Sequence, residues 1–299
     1  MCEGVGEVTA MTTTAIKTKD LSYKYGVGTP FEITAVDSVS LSVEKGGFIG
    51  IIGHTGSGKS TLIQHLNGLL KPTSGEIFID ERNIWSKEVD IRGIRFEVGL
   101  VFQYSEHQLF EETVFKDIAF GPKNIGLPEE EVNVRVYRAA EAMGVHESWL
   151  SRSPFDLSGG QKRRVALAGV VAMQPEILVL DEPAAGLDPY GRDKVLSKIK
   201  EYHENFDVTI LLVSHSMEDI VKYADKVIVM NKGGVFLYKE TDEVFSHADE
   251  ITQIGLDVPQ ITRLARLLKK SGIDIGDDIY TVERAKERIL ELMRKNKNA

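Results

Sequence analysis

An α/β fold wrapped around a phosphate-binding loop is predicted by three observations. The stretch Gly53-His54-Thr55-Gly56-Ser57-Gly58-Lys59-Ser60-Thr61 satisfies the pattern G-x-x-x-x-G-K-[ST]. The apolar run Phe48 to Ile52 precedes it and reads as a buried strand. A helix over 60–70 is predicted after it, with Leu62, Ile63, Leu66, Leu69 and Leu70 on one face. Strand, glycine loop and helix in that order are the setting in which this motif holds a polyphosphate.

The residue types follow from the chemistry. Glycines at 53, 56 and 58 let the backbone take restricted φ/ψ values and approach phosphate oxygens closely. Successive N–H groups then form an anion-binding concavity, reinforced by the positive end of the following helix. Lys59 reaches the β- and γ-phosphates, Ser60 offers a hydroxyl to Mg²⁺, and Thr61 donates on the α-phosphate side. The expected ligand is a nucleoside triphosphate.

Composition bounds the rest. A chain of 299 residues suffices for one large domain with an appendage, or for two modest ones. The net charge of -9 argues against nucleic-acid binding through a broad basic surface, whereas a nucleotide site needs only local positive potential. Cys2 is the only cysteine, which excludes intramolecular disulfides and cysteine-based zinc sites. No apolar run approaches the ~20 residues that span a bilayer. The N-terminus lacks the charged-then-apolar plan of a secretory signal, so any membrane connection is expected through a partner.

Residues 1–14 are small, polar and glycine-containing, and are expected to be flexible. Alternation predicts half-buried strands over 15–25 and 35–43, separated by the loop Gly26-Val27-Gly28-Thr29-Pro30. Tyr25 stands upstream of the phosphate loop, where it can stack on a purine; Phe31 is a rival for that role, and an ordinary strand aromatic is the plain alternative. Further strands are predicted over 75–80 and 98–103. The second ends in Gln103, at the strand edge where open α/β sheets bind ligands. From Tyr104 to Pro154 the pattern is helical, with Val132, Val136, Ala139, Ala140 and Met143 on one face of a helix over 129–143.

Ser158 is a natural N-cap for the helix over 162–173. Gly159 and Gly160 leave its start open, a second helix terminus suited to an anion. The strand over 177–181 runs into Asp181 and Glu182, acids that a buried strand tolerates only where water, metal or a partner meets them. Beside a phosphate loop, Asp181 suits Mg²⁺ through water and Glu182 suits the attacking water. Asp188-Pro189 reads as N-cap and first helical residue. The strand over 209–213 is followed by His215, on the same edge as Gln103 and Glu182. Strands over 226–230 and 235–239 close a hairpin around Gly233-Gly234.

In this order the segments resemble the nucleotide-binding domain of the ABC transporter superfamily. The matching pieces are the Walker A loop at 53–61, the Q-loop Gln103 and the signature Leu157-Ser158-Gly159-Gly160-Gln161. They continue with the Walker B strand 177–181 and Glu182, the D-loop Gly186-Leu187-Asp188, and the switch histidine His215. Within the superfamily, Gly53-His54-Thr55, the run from Gln103 to Phe110, the run from Ala119 to Asn124, and Gln161 to Ala166 are similar to the ATPase subunits of energy-coupling factor (ECF) transporters. Among these the chain is closer to the second, EcfA-prime or CbiO-like, type. Ala184 is one small departure, at a position where a hydroxyl residue is commoner; it touches neither acid.

The resemblance implies a P-loop NTPase cassette over 15–240: a mixed sheet with a RecA-like core, an antiparallel β subdomain, and an inserted helical subdomain at about 104–160. A helical extension over 241–299 follows. It also implies ATP, held by the Walker A residues and Tyr25, and Mg²⁺ at Ser60, Gln103 and Asp181. Lys59, Glu182 and His215 act on the γ-phosphate and its attacking water. Two cassettes close head to tail on two ATP molecules, so Ser158, Gly159, Gly160 and Gln161 serve the opposed nucleotide and Asp188 reaches across. Implied partners are a second ECF ATPase subunit (a heterodimer expected, a homodimer allowed), an integral-membrane T component and a substrate-binding S component. The chain is then peripheral on the cytoplasmic face of the cell membrane and drives uptake of a vitamin, metal or other micronutrient. A conventional ABC transporter ATPase shares every catalytic motif and is the rival reading. A soluble non-transport ABC ATPase fits less well, because the chain holds one phosphate loop, one signature and no long heptad run.

Two further expectations concern surfaces. Glu106, Glu111, Glu112 and Asp117 form an acidic cluster after Gln103, suited to receive an arginine from a membrane scaffold, with a solvated helical face as the plain alternative. In the extension, Ile261, Leu264, Ala265 and Leu268 form one apolar stripe and Val282, Ala285, Ile289 and Leu292 another, for packing on the cassette or for holding two ATPases together.

Overall fold

Strands with no polar face set the centre of the fold. The computed structural model describes residues 14–246, 248–276 and 278–297; residues 1–13, nearly all of the segment expected to be flexible, lie outside them. The first half of the chain contains β1 (Thr14–Tyr25), β2 (Ile33–Glu44), β3 (Phe48–Gly53), α1 (Lys59–Leu66), β4 (Ser74–Ile79), β5 (Arg82–Asn83), α2 (Ile91–Glu97) and β6 (Val98–Val101). Next come α3 (Val114–Ile125), α4 (Glu129–Ala142), α5 (Gly159–Val171), β7 (Ile177–Asp181), α6 (Pro189–Phe206), β8 (Thr209–Val213) and α7 (Met217–Tyr223). The last elements are β9 (Lys226–Asn231), β10 (Gly234–Glu240), α8 (Thr241–Ser246), α9 (Ala248–Gln253), α10 (Gln260–Lys270) and α11 (Val282–Lys297).

Two sheets result. The larger has the order β10-β9-β3-β8-β7-β6, parallel from β9 to β6 with β10 antiparallel at one edge. The smaller, β2-β1-β4-β5, is antiparallel. Strands buried on both faces read as continuous apolar runs, and here alternate residues of each strand supply two different cores. Phe48, Ile52, Leu178, Leu180, Ile210 and Leu212 face α3 to α7, while Ile49, Ile51, Val179, Leu211 and Val213 face α1 and the antiparallel sheet.

Most strand ends agree with the sequence expectation to within one or two residues. Helix α1 does not: it stops at Leu66 rather than Leu70. Gly68 takes φ +67 there, and the Asn67 side chain turns away to donate to the Val98 carbonyl of β6. Leu69 consequently leaves the apolar face and is exposed.

The acidic cluster after Gln103 also differs from expectation. Glu106 is bound by Arg163 of the same chain, and Asp117 is buried, with Oδ1 accepting from the backbone N–H groups of Phe110 and Glu111. Glu112 pairs with Lys116 one helical turn away. Two of the four acids are therefore structural and do not face a partner.

Beyond β10 the chain stays attached to the cassette core. Val244, Phe245, Ile251, Leu256, Val258 and Tyr280 join the same cluster as the sheet. Ala265, Ile275, Ile279 and Ala285 form a small cluster of their own between α10 and α11. Leu264 and Val282, read above as part of the apolar stripes, are exposed; Thr262 takes the inward place on α10 and donates to the Ile279 carbonyl.

Gly50 shows how tightly the layers meet. It lies on the α7 face of β3, where a Cβ would sit 2.9 Å from Ile220 Cδ1 and 3.2 Å from the Ala224 Cβ. Gly50→Val is expected to destabilise the chain by ~1–3 kcal/mol through overpacking. The measurement is a urea titration, in which the midpoint falls while the slope stays constant.

Candidate functional site

Register in the parallel sheet gathers the site. Val101 pairs with Leu180, Asp181 with Val213, and Gly53 with Met230, so the carboxyl ends of β6, β7, β8, β3 and β9 lie along one edge. Each sequence-predicted group follows one of these ends: Gln103 after β6, Asp181 and Glu182 at β7, His215 after β8, and the glycine loop after β3.

The loop is shaped by glycines that cannot be replaced without conflict. Gly58 has φ +98, and a Cβ there would stand 2.3 Å from the Ala35 carbonyl oxygen. It occupies the N-cap of α1 with no side-chain cap and no acid in the first turn. The positive helix terminus and its N–H groups are thus left for an anion. The loop is held from behind by β9 and β10: Gly233 N–H donates to the Ser57 carbonyl, and Asn231 Oδ1 meets His54 Nε2 at 3.1 Å. Ser57 Oγ is buried without a hydrogen-bond partner.

Lys59 is only 6% exposed, and its ammonium donates to the carbonyls of Gly53 (2.6 Å) and His54 (3.1 Å). Burial lowers its pKa, against the raising influence of Glu182 and Asp181. Asp181, 8% exposed, has its carboxyl pushed up by burial, which a hydrogen bond from Ser60 and the charge of Lys59 partly offset. Burial, followed by the charge of Asp181, drives Glu182 up to about 7. Glu182 Oε1 is buried without a hydrogen-bond partner, and His215 Nε2 stands 3.7 Å from it. Burial and the Lys59 charge lower the His215 pKa, which keeps the ring neutral near pH 7.

The remaining predicted residues lie at the margins of this cluster. Gln103 and Ser60 are exposed, and Thr61 is buried with its hydroxyl 3.3 Å from the Tyr25 hydroxyl. That contact sets the Tyr25 ring beside the loop, and Tyr23 packs against it edge-on at 4.8 Å. Phe31 is 83% exposed in the β1–β2 loop and makes no ring contact among the described residues. Ser158 caps α5 in a capping box: Ser158 Oγ accepts from Gln161 N–H, and Gln161 Oε1 accepts from Ser158 N–H. Ser158 and Gly159 face outward. Asp188 caps α6 by accepting from Gly191 N–H at 2.7 Å.

Sequence reasoning missed Asn231 behind the loop and Arg163 behind the Glu182 turn. Both act through pairings between distant segments that carry no periodic signal. A cavity of about 320 Å³ opens beside Glu182 and His215, lined also by Ala184, Gly186 and Asp219. The larger cavity, about 400 Å³, lies at the opposite ends of the strands and contains none of these groups, so chemistry rather than volume identifies the site.

Fold and site together define a P-loop ATP-binding cassette. The profile of the ABC transporter family matches residues 36–185. The energy-coupling factor transporter ATP-binding protein EcfA2 of Caldanaerobacter subterraneus is 56% identical over 283 residues, covering 95% of this chain and 99% of that one. The protein of the same name from Clostridium tetani is 56% identical over 279 residues, covering 93% and 97%. Among solved structures, cbiO1 from Clostridium perfringens, part of the ABC transporter complex cbiONQ, superposes with a TM-score of 0.73 at 36% identity, covering 86% of this chain and 99% of that one. The dimeric ATP-binding cassette MJ0796 bound to ADP and Pi gives a TM-score of 0.67 at 28% identity, covering 76% and 98%. The chain belongs to the ABC transporter ATPases, in the energy-coupling factor branch.

The burial of Glu182 has a measurable consequence. Its folded pKa of about 7 lies above the ordinary 4.5, so the folded chain holds this proton more tightly than the unfolded chain does. Stability is therefore lost as pH rises from 4.5 through 7, by ~3 kcal/mol in all. Glu182→Gln cannot ionise and is expected to be more stable than the parent at pH 8, with the gap closing toward pH 4.5. Urea midpoints of the nucleotide-free proteins measure it; a gap independent of pH contradicts a desolvated carboxyl.

Proposed function

We propose that this chain binds ATP and Mg²⁺ at the strand-end cluster and hydrolyses the γ-phosphate bond with Glu182 as the base. In this reading it is one half of a cassette dimer that drives micronutrient import through T and S membrane components. The observation that carries the reading is the convergence of Lys59, Asp181, Glu182 and His215 at neighbouring strand ends, with Lys59 and Asp181 buried and Glu182 half-buried. Such desolvated charges of both signs suit a site completed by a polyphosphate.

The roles follow from position. Residues 53–61 cradle the phosphates through backbone N–H groups, and Lys59 exchanges its two carbonyl acceptors for phosphate oxygens. The Tyr25 ring stacks on adenine, supported by the hydroxyl contact that sets it beside Thr61. The donor set fits Mg²⁺: the Ser60 hydroxyl already bonds to Asp181, whose burial leaves its charge undercompensated, and Gln103 lies on the same edge. When bound, Mg²⁺ supplies charge neutralisation at the phosphate oxygens. Water attacks the γ-phosphorus, the Glu182 carboxylate accepts its proton, and ADP leaves with the bond electrons. Neutral His215, next to Glu182, donates to the γ-phosphate oxygens.

Ser158, Gly159, Gly160 and Gln161 serve the nucleotide of the opposed cassette, and Asp188 contacts that subunit. Support comes from the outward-facing, glycine-lined start of α5 and from the dimeric form of the MJ0796 cassette. The opposed cassette is a second ECF ATPase subunit, either a different chain or a second copy. In this reading attachment is peripheral, on the cytoplasmic face, through the T component; no described helix is long and apolar enough to cross a membrane.

Glu182→Gln is expected to bind ATP but to hydrolyse it ~10²–10⁴-fold more slowly, since an amide is no base. Lys59→Ala loses nucleotide binding and turnover together. Near-parent turnover in Glu182→Gln, measured with the opposed site silenced, removes Glu182 from this role. Ser158→Arg separates the two halves of the composite site: the isolated chain keeps its ATP affinity, but ATP-driven dimer closure, followed by gel filtration, is lost. An ATP affinity as low as that of Lys59→Ala refutes the assignment across the dimer.

A further inference from the structure

Arg163 is 1% exposed, yet phosphate binding, metal binding and the opposed nucleotide give it no task. It lies on α5, two residues after Gln161, and its guanidinium reaches two separate segments. Nε donates to Glu106 Oε2 at 2.9 Å and Nη2 to Oε1 at 2.5 Å, a bidentate pair. Nη1 donates to the Pro183 carbonyl at 3.1 Å and to the Ala185 carbonyl at 2.7 Å. Glu106 belongs to the short 3-10 turn Ser105–Gln108 that follows Gln103, whereas Pro183 and Ala185 directly follow Glu182.

The turn held in this way is the one that presents Glu182. Glu182 has φ +50, a left-handed conformation that a glutamate keeps only when its surroundings over-determine it. On one side Glu182 N–H donates to the Val213 carbonyl of β8; on the other, Ala185 N–H returns to the Glu182 carbonyl at 3.1 Å. Nothing in the turn's own side chains fixes its outward angle: Pro183, Ala184, Ala185 and Gly186 carry no polar group. The guanidinium supplies that anchor. Its planar fork, with donors in fixed directions, orients both carbonyls and the Glu106 carboxylate at once, which a single rotatable ammonium cannot do.

We propose that Arg163 is a positioning residue for hydrolysis: it fixes the Pro183–Ala185 turn, and with it Glu182, relative to the segment that follows Gln103. This rests on the reading of Glu182 as the base. Displacement of the Gln103 segment moves Glu106, then the guanidinium, then the backbone that carries Glu182. Arg163 touches no nucleotide, so its loss changes the rate of the chemical step and leaves ATP affinity alone.

The test uses the full-length chain in its assembled transporter with the opposed site silenced. Arg163→Lys keeps the charge but not the fork, and is expected to lower kcat at least about tenfold, as a misplaced base does. KM for ATP stays within about twofold, because ground-state binding is untouched. Glu106→Gln, which keeps the Arg163 links to Pro183 and Ala185 but removes the charge on the other side, lowers kcat in the same direction by less. In a Glu182→Gln background, Arg163→Lys adds less than about a twofold further loss, because both substitutions act on the same step. Parent-like kcat in Arg163→Lys, a KM effect at constant kcat, or an equal loss in both backgrounds overturns the proposal. Near-parent turnover in Glu182→Gln alone overturns instead the base assignment beneath it. Should Arg163→Lys fail to fold, Glu106→Gln in both backgrounds decides the matter by the same criteria.

Discussion

Three ionisable groups, Lys59, Asp181 and Glu182, are drawn out of water at one sheet edge, and the surrounding architecture is arranged to tolerate this. None is fully compensated: the ammonium leans on two loop carbonyls, Asp181 takes a hydrogen bond from Ser60, and one Glu182 oxygen has no partner. Desolvation is the largest influence on the pKa of each. Such a cluster is costly alone and stabilised by a ligand that brings phosphate charge to the lysine and a cation to the acids. The same low-dielectric setting strengthens every interaction with that ligand once it arrives.

The sheet makes this arrangement possible because parallel strands end together. Side chains alternate between two apolar cores along each of the five parallel strands, so no strand can slip register without inverting both faces. Register then fixes Asp181 beside Val213, and thus Glu182 and His215 beside each other. Gly50 lets α7 approach β3, and Gly58 lets the loop pass the Ala35 carbonyl; both place backbone where a side chain would push the layers apart.

Periodicity and caps made much of this legible from sequence. The β7 and β8 strands carry unbroken apolar runs, Ser158-x-x-Gln161 is a capping box, and Asp188-Pro189 opens α6. These are local features, written within a few residues of where they act. What escaped was non-local. Glu106 reads as part of an outward-facing acidic cluster because nothing near it in sequence reveals Arg163, 57 residues away; Asp117, bound by the backbone N–H groups of Phe110 and Glu111 seven and six residues before it, is the one local exception. The early end of α1 depends on an Asn67 amide reaching β6, 31 residues on. Likewise, the positive φ of Glu182 is invisible in composition, since the strain sits on a non-glycine residue and is held by partners from β8 and α5.

Helix α5 joins the two halves of the site in one rigid body. Its first residues face outward and, in the proposed dimer, meet the opposed nucleotide; Arg163, four positions after Gly159 and about 6 Å along the axis, faces inward to the Glu182 turn. A helix of 13 residues, capped at its start and packed along its length by Val165, Leu167, Ala168 and Val171, moves as a unit. In the proposed dimer, seating the opposed nucleotide on one end constrains the Glu182 turn at the other without any intervening loop. The Glu106 pair adds the segment after Gln103 to the same body, so three elements distant in sequence are tied together by one guanidinium. In the proposed function, closure acts on the base through α5, because Arg163 on that helix holds the turn that presents Glu182.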